Sequence, residues 1–155
     1  MSIYVIGDLH LSLGCDKPMD IFRGWDNYVE RLAENWNRLV SDEDTVIVPG
    51  DISWAMSLSE TQKDFEYLNN TLNGEKIILK GNHDYWWSTI SKMNAFLSEN
   101  GFNRIKILNN NAFLREGICV VGTRGWINDD GSPCDAKVLN REAGRLRMSI
   151  QEGLK

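Results

Sequence analysis

Cysteine and histidine are scarce in this chain, and long apolar runs are missing altogether. The three cysteines, Cys15, Cys119 and Cys134, are odd in number and share no short spacing, so the sequence indicates neither a disulfide framework nor a zinc knuckle. No apolar run approaches the length of a membrane-spanning helix, and the N-terminus has no basic region followed by an apolar stretch. We therefore expect a cytoplasmic protein without a membrane partner.

A surplus of positive charge is also missing. The net charge of −5 argues against non-specific binding to a nucleic-acid backbone, which requires a basic surface. It leaves phosphate-bearing substrates open, because bound cations would dominate the local field. Sequence motifs of phosphate-binding P-loops and dinucleotide-binding folds are absent. With 155 residues, 42% of them hydrophobic, the chain is long enough for one domain with a sizeable core.

Three apolar segments, each followed by a glycine and then by polar residues, organise what is present. They are Ile3–His10, Val46–Asp51 and Lys76–Asp84. In the last of them Gly81 allows a sharp turn, because glycine adopts backbone angles that other residues resist. Open α/β sheets place their ligands at the carboxyl ends of strands. We therefore expect the polar residues of the three segments to meet at one edge of a sheet.

The first two-thirds of the chain alternates predicted strands with predicted helices, which indicates an α/β fold. One helix is predicted at Trp25–Val40. A second begins near Ser57, where Ser57 and Glu60 fit a capping box, and its inner stripe consists of Leu58, Thr61, Phe65, Leu68 and Leu72. A third begins near Ile90 and ends at Gly101.

The later part of the chain has a different pattern. Short strands are predicted at Ile105–Leu108, Ala112–Arg115 and Ile118–Val121, and the closely spaced turn residues between them favour antiparallel hairpins. A loop with Gly125, Asp129, Asp130, Gly131 and Pro133 follows. A last helix is then predicted at about Asp135–Gln151, with an inner stripe of Val138, Leu139, Glu142, Leu146 and Ile150.

The polar residues at the three strand ends carry the candidate chemistry. Asp8 and His10 are two residues apart, so both point the same way if the strand continues through them. The chain has only two histidines, His10 and His83, and both lie in these clusters. A lone Gly-Asp pair is more often part of a turn or a helix cap. Together, however, the carboxylate, imidazole and amide groups suit Mn, Fe, Zn or Mg better than a soft metal.

These motifs resemble a known family. Asp8-x-His10, Gly50-Asp51 and Gly81-Asn82-His83-Asp84 are similar, in order and spacing, to the first three motifs of the calcineurin-like metallophosphoesterases. The surrounding Trp86-Trp87 and the Gly122–Trp126 segment resemble a bacterial branch of predicted phosphohydrolases. The resemblance implies a four-layer α-β-β-α sandwich, of which this chain would hold about the first two-thirds.

The resemblance also implies a role for each residue in a metal-dependent phosphoesterase or phosphatase. Asp8 and His10 would hold one divalent ion, Asp51 would bridge to a second, and Asn82 would ligate the second, with Mn favoured. A metal-bound hydroxide would attack the phosphorus of a phosphoester substrate. His83 would protonate the leaving oxygen, with Asp84 holding its ring; Asp84 could also act as a helix N-cap.

The sequence departs from the family pattern after His83. The family completes its site with further histidines from the second half of the domain, yet no histidine follows His83 here. We therefore expect one domain over residues 1–155 that lacks the C-terminal part of the family domain; either the chain is a truncated product, or another chain supplies the remaining ligands. Such a chain would be a poor enzyme on its own, and uncovered strands would favour a homo-oligomer.

Two other classes stay open at this point. A phosphorelay receiver domain also places aspartates at strand ends, but it requires a second acidic residue beside Asp8 and a lysine at the end of a later strand, and neither is apparent. A non-catalytic remnant of the metallophosphoesterase fold would act at most as a metal-binding or interaction module. The tryptophans at the strand ends (Trp54, Trp86, Trp87 and Trp126) either wall a substrate pocket or cap the core.

Overall fold

A computed structural model describes residues 1–126 and 133–155 of the chain. The chain divides into two compact units, Met1–Ile107 and Leu108–Lys155. The predicted loop positions Asp129, Asp130 and Gly131 lie outside the described residues, as does the side chain of Pro133. One domain over residues 1–155 stays a prediction.

A four-stranded parallel sheet forms the centre of the first unit. Its strands are β1 (Ile3–Val5), β2 (Thr45–Val48), β3 (Glu75–Ile78) and β4 (Ile105–Ile107), and they lie in the order β1-β2-β3-β4. All four carboxyl ends therefore lie at the same edge of the sheet. The predicted α/β class is confirmed.

Helical segments connect these strands. The first is α1 (Tyr28–Leu39) and the third is α3 (Ile90–Glu99). The second is a continuous run that begins as a 3₁₀ turn at Leu58–Thr61, proceeds through α2 (Gln62–Glu66) and ends as a π-helical turn at Tyr67–Thr71. The second predicted helix is therefore present, but only its middle is α-helical.

The predicted capping box at the start of that run is wrong. The Ser57 side chain makes no capping hydrogen bond and instead contacts the hydroxyl of Ser59. The Glu60 carboxylate accepts a hydrogen bond from the backbone N–H of Met56, one residue before the expected position. The 3₁₀ geometry of the first turn places the residues differently from an α-helical start.

The core of the first unit lies between the sheet and the helices. The predicted inner stripe is largely confirmed, since Thr61, Phe65, Leu68 and Leu72 are buried while Leu58 is partly buried. Burial on both faces explains why β2 is a nearly continuous apolar run. Replacing Phe65, which is 1% exposed, by alanine would cost about 3–5 kcal/mol.

The orientation predicted for the Ile105–Leu108 strand is also wrong. This segment, β4, pairs in parallel with β3 and does not join an antiparallel hairpin. The physical reason is the helix that precedes it, because α3 returns the chain to the opposite end of the sheet before β4 begins. The pattern of later turn residues carried no information about this pairing.

The second unit contains an antiparallel hairpin and a long helix. Strands β5 (Phe113–Arg115) and β6 (Ile118–Val120) pair as predicted. The two-residue turn between them, Glu116–Gly117, has positive φ at both positions, which is typical of tight hairpins. Helix α4 spans Pro133–Gly153. None of the helices in residues 1–126 and 133–155 is long and apolar enough to cross a membrane.

The inner face predicted for α4 is largely wrong. Leu139, Leu146 and Ile150 are exposed. Glu142 is buried as predicted, and Ser149, which was not predicted to face inward, is buried as well. Polar contacts select this face: the Glu142 carboxylate accepts a hydrogen bond from Thr123, and the Ser149 hydroxyl donates to the carbonyl of Asn111 and accepts from the N–H of Gly122.

Candidate metal centre

The pairing of β1 with β2 extends past the ends of both strands. The N–H of Asp8 donates to the carbonyl of Gly50, and the N–H of His10 donates to the carbonyl of Asp51. A further parallel bridge joins Leu11 to Ser53. The loops after β1 and β2 therefore run side by side, and the side chains of the first two motifs lie next to each other.

The backbone of these loops is unusual at the motif residues. Asp8, His10 and Asp51 all have positive φ, at 58°, 46° and 51°, a region that residues with a Cβ rarely adopt. The expectation that the strand continues through Asp8 and His10 is therefore wrong. Such strain persists only where surrounding contacts hold it, and it concentrates at functional sites.

Two glycines allow the loop after β2 to approach the loop after β3. A Cβ on Gly50 would collide with the backbone of Gly81, and a Cβ on Gly81 would collide with the carboxylate of Asp51. Gly50 also has a φ of 124°. Gly81 is therefore required for close approach, whereas the sequence pattern suggested a special backbone angle.

His10, Asp51 and His83 converge at this edge of the sheet. One ligand-type atom from each lies within 4.8 Å of the other two. Nδ1 of His83 is 2.8 Å from Oδ2 of Asp51, and Nε2 of His10 is 3.9 Å from the same oxygen. The N–H of His83 also donates to Oδ1 of Asp51 at 2.9 Å. Asp51 is the centre of the group.

The chemistry of this donor set fits a divalent cation. Nδ1 of His10 is buried and has no hydrogen-bond partner among the described residues, although buried polar atoms are normally paired. Imidazole nitrogens and a carboxylate, without a thiolate, are the ligands that Mn, Fe and Zn use. Burial opposes ionisation of Asp51, but hydrogen bonds from His83 and the nearby imidazoles outweigh it and lower the pKa of this carboxyl. A charged carboxylate is what a cation requires.

The other two predicted ligands lie at the rim of the group. Asp8 has a side chain that is 77% exposed, and its Oδ1 is 3.6 Å from Nε2 of His10. Asn82 is exposed, and its Nδ2 is 3.1 Å from Nδ1 of His83. The structure thus brings all four predicted ligands to one region, with His83 closer to Asp51 than either rim residue is to its own neighbour.

Asp84 occupies a different place from the one that the resemblance implied. Its carboxylate is fully buried and accepts hydrogen bonds from the backbone N–H groups of Gly81, Asp51, Ile52 and Ser53 and from the indole of Trp86. The His83 ring contacts Asp51 instead. The expectation that Asp84 holds the His83 ring is therefore replaced: Asp84 ties the second motif to the third. Burial raises the pKa of Asp84, and the backbone hydrogen bonds partly offset this.

The tryptophans at the strand ends separate into two groups. The Trp54 ring stacks on His10 at a centroid distance of 4.8 Å and lies 4.9 Å from His83. Nζ of Lys17 is 3.6 Å from the centre of the same indole. Trp86 is instead 2% exposed and belongs to the core. Trp54 is therefore the indole that lies against both histidines of the group.

Two residues that support these loops were missed in the sequence. The Tyr28 hydroxyl donates to the carbonyl of His10, and the carboxylate of Asp64 contacts the loops that follow β1 and β2. Asp64 carried a signal, because it is a charged residue within the inward stripe of its helical run. Tyr28 had no such signal in the sequence, because an aromatic residue on a helix face is usually interpreted as a core residue.

Comparisons with known proteins agree with this geometry. The profile of the calcineurin-like phosphoesterase family matches residues 1–147. The uncharacterized protein MJ1445 of Methanocaldococcus jannaschii is 34% identical over 87 residues, which cover 53% of this chain and 46% of that protein. The chain therefore matches less than half the length of this relative.

The fold also has a counterpart among solved structures. The crystal structure of AQ665, a protein of unknown function from Aquifex aeolicus, superimposes with a TM-score of 0.51 at 19% identity, and the match covers 98% of this chain and 74% of that one. This similarity concerns the fold alone. The parallel sheet with its helices is consistent with a metallophosphoesterase fold, and the family profile extends over nearly the whole sequence. The chain belongs to the calcineurin-like phosphoesterases.

Proposed function

We propose that this chain is a metal-dependent hydrolase of phosphoesters that uses two divalent ions, with Mn²⁺ favoured. The observation that carries the proposal is the convergence of His10, Asp51 and His83 at the carboxyl edge of a parallel sheet. Membership of the phosphoesterase family supports the reaction class. The number of ions, their identity and the substrate are part of the proposal.

Each residue has a proposed task at this edge. Asp8 and His10 would hold one cation, and the side-chain oxygen of Asn82 would hold the second. Asp51 would serve both, because its negative charge would offset the repulsion between two cations. When bound, the ions supply an activated water and neutralise charge on the phosphoryl group. Trp54 covers His10 on one side and excludes water from it.

His83 is the proposed proton donor to the leaving oxygen. Its side chain is 38% exposed, so one part of the ring faces solvent, where a substrate binds. The contact between Nδ1 and Asp51 orients the ring. Geometry of this kind is the first requirement for general acid catalysis.

Two chromogenic substrates test the proposal. The full chain is incubated with Mn²⁺ and with bis(4-nitrophenyl) phosphate or 4-nitrophenyl phosphate, beside the Asp51→Asn variant. We expect turnover that is slow, because the chain lacks the later histidines of the family, that depends on Mn²⁺, and that is lost in Asp51→Asn. Absence of turnover while Mn²⁺ is bound at saturation would overturn the catalytic proposal and favour a non-catalytic metal-binding module.

Self-association is a further part of the proposal. Leu114 and Ile118 on the β5–β6 hairpin are 67% and 58% exposed, and exposed apolar strands promote association. Light scattering of the purified chain is the measurement, with Leu114→Lys as the variant that should shift the mass towards a monomer. A monomeric mass for the unmodified chain would contradict this proposal.

A further inference from the structure

Asp64 is a fully buried carboxylate that has no place in the metal site itself. It lies in α2, and its exposed fraction is 0%. Its two oxygens accept hydrogen bonds from the backbone N–H of Leu13 at 2.7 Å and from the hydroxyl of Ser53. The N–H of Gly14 also contributes a hydrogen bond to this carboxylate. A buried carboxylate is costly unless such donors surround it.

The partners of Asp64 come from two different loops of the site. Leu13 and Gly14 follow His10 by three and four residues, and Ser53 follows Asp51 by two. Asp64 is therefore a single acceptor shared by the loop after β1 and the loop after β2. Since each contact lies within four residues of a proposed ligand, a shift at Asp64 moves His10 relative to Asp51.

The Ser53 hydroxyl is both a hydrogen-bond donor and a hydrogen-bond acceptor. It donates to Asp64 and accepts a hydrogen bond from the N–H of Ala55 at 3.1 Å. Its proton is thus directed at the carboxylate, and the hydroxyl cannot turn away without leaving a buried donor unpaired. An asparagine at position 64 would replace one acceptor oxygen by a donor NH₂ group, and either Leu13 or Ser53 would lose its partner.

Asp64 and Asp84 divide the three loops between them. Asp84 joins the Asp51–Ser53 segment to Gly81, and Asp64 joins the same segment to the loop at Leu13. The segment at Asp51 is thus held from two sides by two carboxylates. Among the described residues, Asp64 is a buried carboxylate outside the three motifs that links this segment to the loop bearing His10.

We propose that Asp64, acting through Ser53, is a positioning residue that sets the spacing between His10 and Asp51 and thereby the metal affinity of the site. This inference rests on the proposed function, because it requires that the site binds a metal. Outer partners that orient metal ligands typically change affinity about 10–100-fold when they are removed.

The matched control is Asp44, a buried aspartate at the other end of the same sheet. Its carboxylate accepts hydrogen bonds from the N–H groups of Ser2 and Ser41, so it joins two segments in the same way as Asp64. It lies directly before β2 (Thr45–Val48), whereas Asp51 follows that strand. Asp44→Asn therefore removes an equivalent contact without touching the site.

The experiment measures Mn²⁺ affinity by calorimetry and the visible absorption spectrum of the Co²⁺-loaded chain. Asp64→Asn, Ser53→Ala and their double variant are compared with Asp44→Asn, and urea unfolding reports the stability of each. We expect a 10–100-fold loss of Mn²⁺ affinity and an altered Co²⁺ spectrum in both single variants. The double variant should lose no more than the larger single loss, because the two residues act through one contact. Asp44→Asn should lose stability and keep the affinity and spectrum of the original chain.

The outcomes separate this inference from the proposed function. Absence of Mn²⁺ binding in the original chain would overturn both. Normal affinity and an unchanged Co²⁺ spectrum in Asp64→Asn or Ser53→Ala would overturn the positioning role alone. If Asp64→Asn does not fold, Ser53→Ala decides, since it removes one hydroxyl and leaves the carboxylate in place. Equal losses of affinity in Ser53→Ala and Asp44→Asn would also overturn it, because they would reflect general destabilisation.

Discussion

The two ends of the parallel sheet use the same structural device for different results. At the amino end, the Asp44 carboxylate gathers backbone N–H groups of Ser2 and Ser41. At the carboxyl end, Asp84 and Asp64 do the same for the loops after β1, β2 and β3. Buried carboxylates that bind backbone N–H groups are therefore a way of fixing loops, and their presence alone does not mark a functional site.

The two ends of the sheet differ in their buried polar atoms that lack a hydrogen-bond partner. At the amino end, hydrogen bonds from the backbone N–H and hydroxyl of Ser41 and from the N–H of Ser2 lower the pKa of Asp44. At the carboxyl end Nδ1 of His10 is buried without a partner, and three residues of positive φ are held in place. A buried nitrogen without a hydrogen-bond partner, on a strained backbone, therefore distinguishes the functional end of the sheet from the other end.

The largest effect is expected at His83. His83→Ala should lower turnover of an active form by about 10²–10⁴, the usual contribution of a positioned general acid. The loss should be smaller for substrates whose leaving group needs no proton, such as nitrophenolate. Steady-state rates over a series of leaving groups check this. An equal loss across the series would rule out the acid role and indicate charge stabilisation.

The second effect concerns the bridging position. Asp51→Asn removes the negative charge between the proposed cations, so Mn²⁺ affinity should fall by more than about 100-fold. Asp44→Asn should leave the affinity unchanged. Calorimetry of both variants provides the comparison. Similar Mn²⁺ affinities in the two variants would show that metal binding does not depend on Asp51 at the carboxyl end of the sheet.

The free energy of unfolding should also fall more for a substitution at the carboxyl end of the sheet than for one at the amino end. Asp84→Asn removes acceptors from a carboxylate that pairs four N–H groups and an indole, so we expect a loss of about 3–5 kcal/mol. Asp44→Asn should cost less, because its carboxylate pairs fewer backbone N–H groups. Urea unfolding measures both. If Asp44→Asn lowered the free energy of unfolding more than Asp84→Asn does, Asp84 would not hold its loops more firmly than Asp44 holds its own.

The smallest effect is expected for a buried lysine at the amino end. Lys76 is fully buried, and its Nζ donates to the carbonyls of Leu72 and Gly74. Burial lowers its pKa to about 7 in the folded state, below the unfolded value, so the unfolded chain binds more protons between these values. Stability should therefore rise as the pH increases above 7, by at least about 1 kcal/mol.

Lys76→Met isolates this contribution. The variant should show a flatter dependence of the free energy of unfolding on pH between about 7 and 10. Urea unfolding at several pH values gives both curves. Parallel curves for the two proteins would show that Lys76 keeps its proton in the folded state.

The sequence predicts the strands and the meeting of the motifs well, for a physical reason. β2 is observed at Thr45–Val48, where the sequence has the apolar segment that precedes Gly50 and Asp51, because a strand buried on both faces has a continuous apolar run bounded by polar residues. Once the strands are parallel, Asp51 and His83 must lie at the same edge. His10 joins them because its loop continues the pairing of β1 with β2.

The remaining features depend on contacts between residues distant in sequence. Asp84 binds the N–H groups of Asp51 and Ile52, and no local pattern reveals that these loops point their N–H groups at it. The predicted inner face of α4 relied mainly on its apolar residues, yet the buried hydrogen bonds of Glu142 and Ser149 determine it. In this helix the polar contacts outweigh the apolar spacing.

The central claim is that Asp51 and His10 bind a metal ion, with His83 beside them as the proton donor. The most direct test is a crystal of the full chain soaked in Mn²⁺ and measured at a wavelength where manganese scatters anomalously. We predict an anomalous peak bonded to Asp51 and His10, with the contact between His83 and Asp51 rearranged around it. A crystal whose only manganese peaks lie on other carboxylates, with the His10–Asp51–His83 group unchanged, would contradict the account.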